Sequence, residues 1–215
     1  MLFKPAAAVL ALAGLAAAQT KEYTKGVANV DMNGVKATFT FEKVAEGMNI
    51  TVAVQSGLNT TAQKLPSGFD YHVHVSPVGP NNNCSSTGLH LDPAKVGVAK
   101  PCNPSDLTTC QTGDLAGKFG NLNATADGSI TTFSYVDKQL NFTGAGPEGA
   151  LLGRSIVIHN NITRYACADI VVEGYKGTDG NGTTTPPKGD GKSSATKLVG
   201  SIALTAVAAL FALAL

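Results

Sequence analysis

The sequence predicts an all-β fold, on three observations. Short segments rich in Val, Ile, Thr and Phe alternate apolar with polar residues; Gly, Asn, Asp and Pro interrupt them; and no stretch of residues 19–190 sustains a 3.6-residue apolar period. About seven or eight such strands fit a β-sandwich or a closed Greek-key barrel.

Taken in order, residues 35–42 (VKATFTFE) alternate along their length, residues 46–49 (EGMN) make a turn, and residues 50–55 resume the pattern. Together they read as a hairpin. Residues 71–76 (YHVHVS) are the next strand, and residues 124–136 hold an Asp127-Gly128 turn between two strand-like runs. Residues 155–159 and 166–172 supply two more. One long connection, residues 77–112, carries five prolines, three consecutive asparagines and three of the four cysteines. A connection of that size is functional or disordered, and the cysteines favour an ordered, functional loop.

The two ends are apolar in a different way: residues 1–18 and 198–215 each hold 15 apolar residues. The remaining middle is about 35% apolar, which suits one soluble domain of about 150 residues. Residues 1–18, with Lys4, an apolar run and Ala16, Ala17 and Ala18 before Gln19, read as a secretory signal peptide. Residues 198–215 follow a Gly/Ser/Thr/Pro-rich stretch and read as a signal for a GPI anchor, with the tail removed and the lipid joined between Gly189 and Ser194. A tail-terminal membrane helix is the other reading of that tail. The expected organisation is therefore signal peptide 1–18, domain 19–175, stalk with attachment region 176–197 and signal tail 198–215. It places the protein outside the cell, on the membrane or wall.

Seven N-x-S/T sequons, at Asn49, Asn59, Asn83, Asn123, Asn141, Asn161 and Asn181, fit an exported glycoprotein. With 16 basic and 15 acidic residues and no basic cluster, nothing points to nucleic acid. In an oxidising compartment Cys84, Cys102, Cys110 and Cys167 are expected to form two disulfides. Spacing alone allows three connectivities; pairing Cys102 with Cys110 would close a small ring and leave Cys84 and Cys167 as a long-range tie.

The chain has four histidines, His72, His74, His90 and His159. In a strand, His72 and His74 project to one side about 7 Å apart, close enough to converge on one metal ion, while Tyr71, Val73 and Val75 face the core. Around them stand an H-V-H strand, the segment C-x5-H-x-D-P from Cys84, G-D-L at Gly113, Asp114 and Leu115, a strand ending in His159, and R-x-A-C from Arg164 to Cys167. In this order the motifs resemble the copper/zinc superoxide dismutase family over roughly residues 26–173.

The resemblance implies an eight-stranded Greek-key β-barrel, an immunoglobulin-like sandwich, with one long disulfide-tied loop. It makes His72, His74, His90 and His159 the copper ligands and Arg164 the residue that guides superoxide, and it pairs Cys84 with Cys167. His90 takes the place of the family's bridging imidazole and carries the proton. Two departures resemble the fungal extracellular copper-only branch. No histidine remains for zinc, and only four residues separate His159 from Arg164, so the long charged steering loop is missing. One copper per chain and no zinc are therefore expected; the sequence does not fix the oligomeric state, and a monomer is one of the states it allows. That branch can carry a Glu, three residues before the Asp of G-D-L, that holds the former bridging histidine; Gln111 stands there, so Asp114 is the first candidate to orient His90. Asp92 is expected to cap a turn before Pro93. A cell-surface copper-buffering protein using the same histidines without turnover is the alternative, and Arg164 argues against it.

Overall fold

The computed structural model describes residues 22–59, 61, 65, 67–124, 128–142 and 150–176. The chain divides into two units, Met1–Thr184 and Thr185–Leu215, and every described residue belongs to the first. The expected signal peptide and signal tail, most of the stalk and Asn181 lie outside the described residues.

The alternating segments form the centre of a five-stranded sheet. In β2 (Val35–Val44) and β3 (Gly47–Ser56) alternate residues are buried, and the antiparallel register sets Ala37 against Val54, Phe39 against Val52 and Phe41 against Ile50. Period-two patterning on both strands thus gives one continuous apolar face. The turn is tighter than the sequence indicates and takes only Ala45 and Glu46.

A strand not anticipated from the sequence, β1 (Lys25–Met32), pairs with β2 along its whole length through an Asn33-Gly34 turn. Both turn residues have positive φ, 52° and 80°, as the tight hairpin turn that matches strand twist requires. Its core-facing residues are Gly26, Ala28 and Val30. A Cβ on Gly26 would stand 3.2 Å from the Phe142 ring, so this face is small because a large ring packs on it.

β5 (Ile130–Asp137) flanks β3, and β8 (Val171–Val172) flanks β1, in the order β5-β3-β2-β1-β8. The second sheet is β4 (Tyr71–His74), β6 (Ser155–Asn160) and β7 (Thr163–Asp169), in the order β4-β6-β7. All pairings between strands are antiparallel. The chain changes sheet after β3, β4, β5 and β7, the crossing expected of a Greek-key sandwich. Residues 166–172, expected as one strand, belong to two, because the chain leaves the small sheet at buried Ile170. Of the two runs expected in 124–136 the second forms β5, while residues 125–127, which hold most of the first, lie outside the described residues.

Phe39, Phe41, Met48, Ile50 and Val52 pack against Tyr71, Val73, Ile156, Ile158 and Ala166 of the other sheet. The small sheet is buried on both faces: all of β4 and five residues of β6 are buried. Alternation sends Tyr71, Val73, Ile156 and Ile158 into the core, leaving His72, His74, Val157 and His159 on the outer face. Residues 77–112 cover that face, pinned by the Cys84–Cys167 disulfide, while Cys102–Cys110 closes a ring within the loop.

A five-residue helix, α1 (Leu115–Phe119), follows the loop. Asp114 caps it, Oδ1 accepting the Gly117 amide at 2.7 Å. Lys118 extends Nζ to Asp137 Oδ2 at 2.5 Å, with both side chains inaccessible to solvent, and donates also to the Thr112 carbonyl and Gln139 Oε1. So short a helix does not persist alone; this ion pair ties it to the end of β5.

Candidate metal centre

His72 and His74 reach one site because β4 places them two residues apart on its outer face, and β6 brings His159 beside them, across a register shift after Ile158. His90 arrives on the long loop. Its neighbour Leu91 donates to the Val73 carbonyl at 2.8 Å, Val73 donates to Gly113 at 2.9 Å, and Gly113 donates to Leu91 at 2.7 Å. This seam requires glycine at 113, where a Cβ would stand 2.4 Å from the Val73 oxygen. One ligand atom from each of the four histidines lies within 4.8 Å of the others.

The protein's own hydrogen bonds decide which nitrogens remain for a metal. His74 Nδ1 donates to the Gly88 carbonyl at 3.0 Å, and Thr87 Oγ1 lies 3.1 Å from it, which leaves Nε2 as a lone pair facing His159 Nε2 at 3.3 Å. His72 Nδ1 is buried with no hydrogen-bond partner, while its Nε2 lies 3.4 Å from Asp114 Oδ1. Leaving a buried nitrogen unsatisfied costs about 1–3 kcal/mol, and a metal ion at the cluster would satisfy it. Burial holds His74 and His159 neutral, with pKa values lowered to about 3, and repulsion from the Arg164 cation adds to the effect. Burial also lowers His90. Neutral imidazole is the ligating form. Four converging imidazole nitrogens fit copper or another borderline transition metal.

The partner of His90 differs from the first candidate read from the sequence. Gln111 Oε1 stands 2.7 Å from His90 Nδ1, whereas Asp114 lies against His72. The reason is local. As the cap of α1, Asp114 is held beneath β4 and its carboxylate points at the H-V-H strand, while Gln111 lies before the seam, beside the loop. Burial raises the Asp114 pKa, but the His72 and Gly117 hydrogen bonds outweigh it and leave the carboxyl below its usual range. Asp92 caps a turn, but the one that runs through Pro93 to Gly97 rather than one before Pro93: it accepts from Val96 and Gly97, and also from Gln111 Nε2 at 3.2 Å.

A cleft of about 840 Å³ opens over the cluster, lined by His74, His90, His159 and Arg164 and rimmed by exposed Leu89 and Ile162. It reaches the surface because β6 and β7 join through only Asn161 and Ile162. Arg164 donates to the carbonyls of Ser85 at 2.7 Å and Gly88 at 2.5 Å, and to that of Cys84 at 3.4 Å. It therefore both fastens the loop beside the disulfide and adds a cation to the cleft. Of the sequons, Asn83, Asn123 and Asn161 are exposed, and Asn49, Asn59 and Asn141 are half-buried. Sequence reasoning missed Lys118, and it missed Thr87 and Gly88 as holders of His74; no spacing signal marks them.

The family described as copper/zinc superoxide dismutase (SODC) matches residues 35–184. A cell surface Cu-only superoxide dismutase of Arthroderma benhamiae is 40% identical over 131 residues, covering 60% of this chain and 34% of that protein. Cell surface superoxide dismutase (Cu-Zn) 6 of Candida albicans is 30% identical over 181 residues, covering 79% of this chain and 54% of that protein. The chain thus spans between a third and about half the length of these two curated relatives. Among solved structures, a variant of Candida albicans superoxide dismutase 5 aligns with a TM-score of 0.56 at 26% identity, over 78% of this chain and 98% of that one. The clock protein EA4, at 23% identity over 73% of this chain and 99% of that one, shares the fold with a TM-score of 0.55. With its two antiparallel sheets, its loop pinned over the histidine face and a family match across most of the described domain, the chain belongs to the copper/zinc superoxide dismutase family.

Proposed function

We propose that the chain is an extracellular superoxide dismutase that converts superoxide to dioxygen and hydrogen peroxide with one copper per chain and no zinc. The observation that carries this reading is the convergence of all four histidines of the chain under a cleft whose lining includes three of them, His74, His90 and His159, together with Arg164. When bound, copper supplies one-electron cycling between Cu(II) and Cu(I). His72 offers Nδ1, and His74, His90 and His159 offer Nε2, the atoms left by their other hydrogen bonds or turned toward one another. Arg164 draws the anion into the cleft and offers it a hydrogen bond. Gln111 keeps the His90 ring in place, so that His90 Nε2 can take up a proton and pass it to the product peroxide.

Zinc independence is supported by the donor count: the cluster uses every histidine, and Asp114 and Gln111 are turned to His72 and His90. Export and anchoring are supported by the apolar end segments, by two disulfides and by the cell-surface names of the relatives. The test is a superoxide-disappearance assay on protein loaded with copper. Turnover that scales with bound copper is expected; tight copper binding without turnover would make the chain a copper buffer instead.

A further inference from the structure

Gln111 holds His90 with one end of its amide, and the other end is engaged too. Its Oε1 meets His90 Nδ1 at 2.7 Å while its Nε2 donates to Asp92 Oδ2 at 3.2 Å. Asp92 is itself fixed, Oδ1 accepting the Val96 amide at 3.0 Å and Oδ2 the Gly97 amide at 2.8 Å. An ionised carboxylate only accepts hydrogen bonds, so the amide satisfies both neighbours in one orientation alone. Turned over, it would set Oε1 against the Asp92 carboxylate and make His90 Nδ1 an acceptor. The ring proton would then move to Nε2 and block the lone pair that a metal needs.

We infer that Asp92 is a positioning residue that acts through Gln111: by fixing the amide it keeps the His90 proton on Nδ1 and leaves Nε2 free for the metal. A carboxylate at position 111 would need no such partner, because both of its oxygens accept whichever way it turns. The amide found here does need one, and the turn from Asp92 to Gly97 supplies it. This inference rests on His90 being a metal ligand, as proposed above.

The test exchanges donor and acceptor between the two positions, using Asp92→Asn, Gln111→Glu and the double variant. Asp92→Asn can present an NH2 to residue 111 and so lets the amide of Gln111 turn over. In the double variant that NH2 donates to the new carboxylate, which still accepts from His90 Nδ1. Two readouts apply: nitrogen-15 NMR of the His90 ring in metal-free protein at pH 8, and the copper dissociation constant from chelator competition. The proton should sit on Nδ1 in the parent, in Gln111→Glu and in the double variant. Asp92→Asn should show mixed tautomers and bind copper about tenfold more weakly, with the double variant restoring both. Parent-like values in Asp92→Asn would overturn the inference. So would a loss that the double variant does not restore, because Asp92 would then be a turn residue only, or mixed tautomers in Gln111→Glu. The tautomer is read without metal or turnover, so failure to dismute superoxide would defeat the proposed function and leave this result standing.

Discussion

A buried histidine becomes a metal ligand when its second nitrogen is already committed, and here three of the four commitments are visible. Gly88 takes His74, Gln111 takes His90, and Asp114 lies against His72. Arg164 acts at the same scale through charge and hydrogen bonds together. Arg164→Ala should slow superoxide decay about tenfold and flatten its dependence on ionic strength while copper stays near one per chain, since focusing a charged substrate accelerates encounter by about 10–1000-fold. Stopped-flow decay with elemental analysis checks it, and loss of copper would make Arg164 a loop fastener alone. The grouping of the histidines was legible in two steps: H-x-H in a strand sets His72 beside His74 by local spacing, and the resemblance of the ordered motifs added His90 and His159. The partners were not: whether Asp114 faces His72 or His90 depends on how α1 packs under β4, which no spacing encodes.

At the scale of elements, the small sheet is covered on both sides: one face meets the core and the other, which carries His72, His74 and His159, is roofed by the loop. The hairpin of β2 and β3 was legible from its alternation, as were β4 and β6. β1 was not, because Gly26, Ala28 and Val30 give a faint apolar signal, although Asn33-Gly34 before Val35 is the hairpin mark that could have found it. Helix α1 was equally silent, since five residues carry no period and its anchor, Lys118 with Asp137, joins positions far apart in the chain. Breaking a buried pair by removing one partner leaves an unpaired charge and costs about 3–5 kcal/mol. Lys118→Met should therefore lose stability of that order in urea unfolding, and adding Asp137→Leu should recover most of it. An unchanged midpoint for Lys118→Met would show that the pair does not secure α1.

Over the whole molecule, the two-sheet frame, the disulfide and the loop hold His90, on the loop, beside the three histidines that the small sheet provides. The tie from Cys84 to Cys167 spans 83 residues, and closing so long a loop removes about 4 kcal/mol of unfolded-state entropy in the chain-entropy model. That reduces what the apolar core alone must supply. The all-β class and the long functional loop were legible from composition and punctuation, whereas the division into five and three strands depends on where the chain crosses between sheets. Within this frame the central claim is that one copper, held by four histidines, is sufficient for dismutation. The most direct measurement is the rate of superoxide loss per bound copper in zinc-free protein, before and after zinc is added. Full activity with copper alone and no gain from zinc is the predicted result; activity that appears only once zinc is supplied would contradict it.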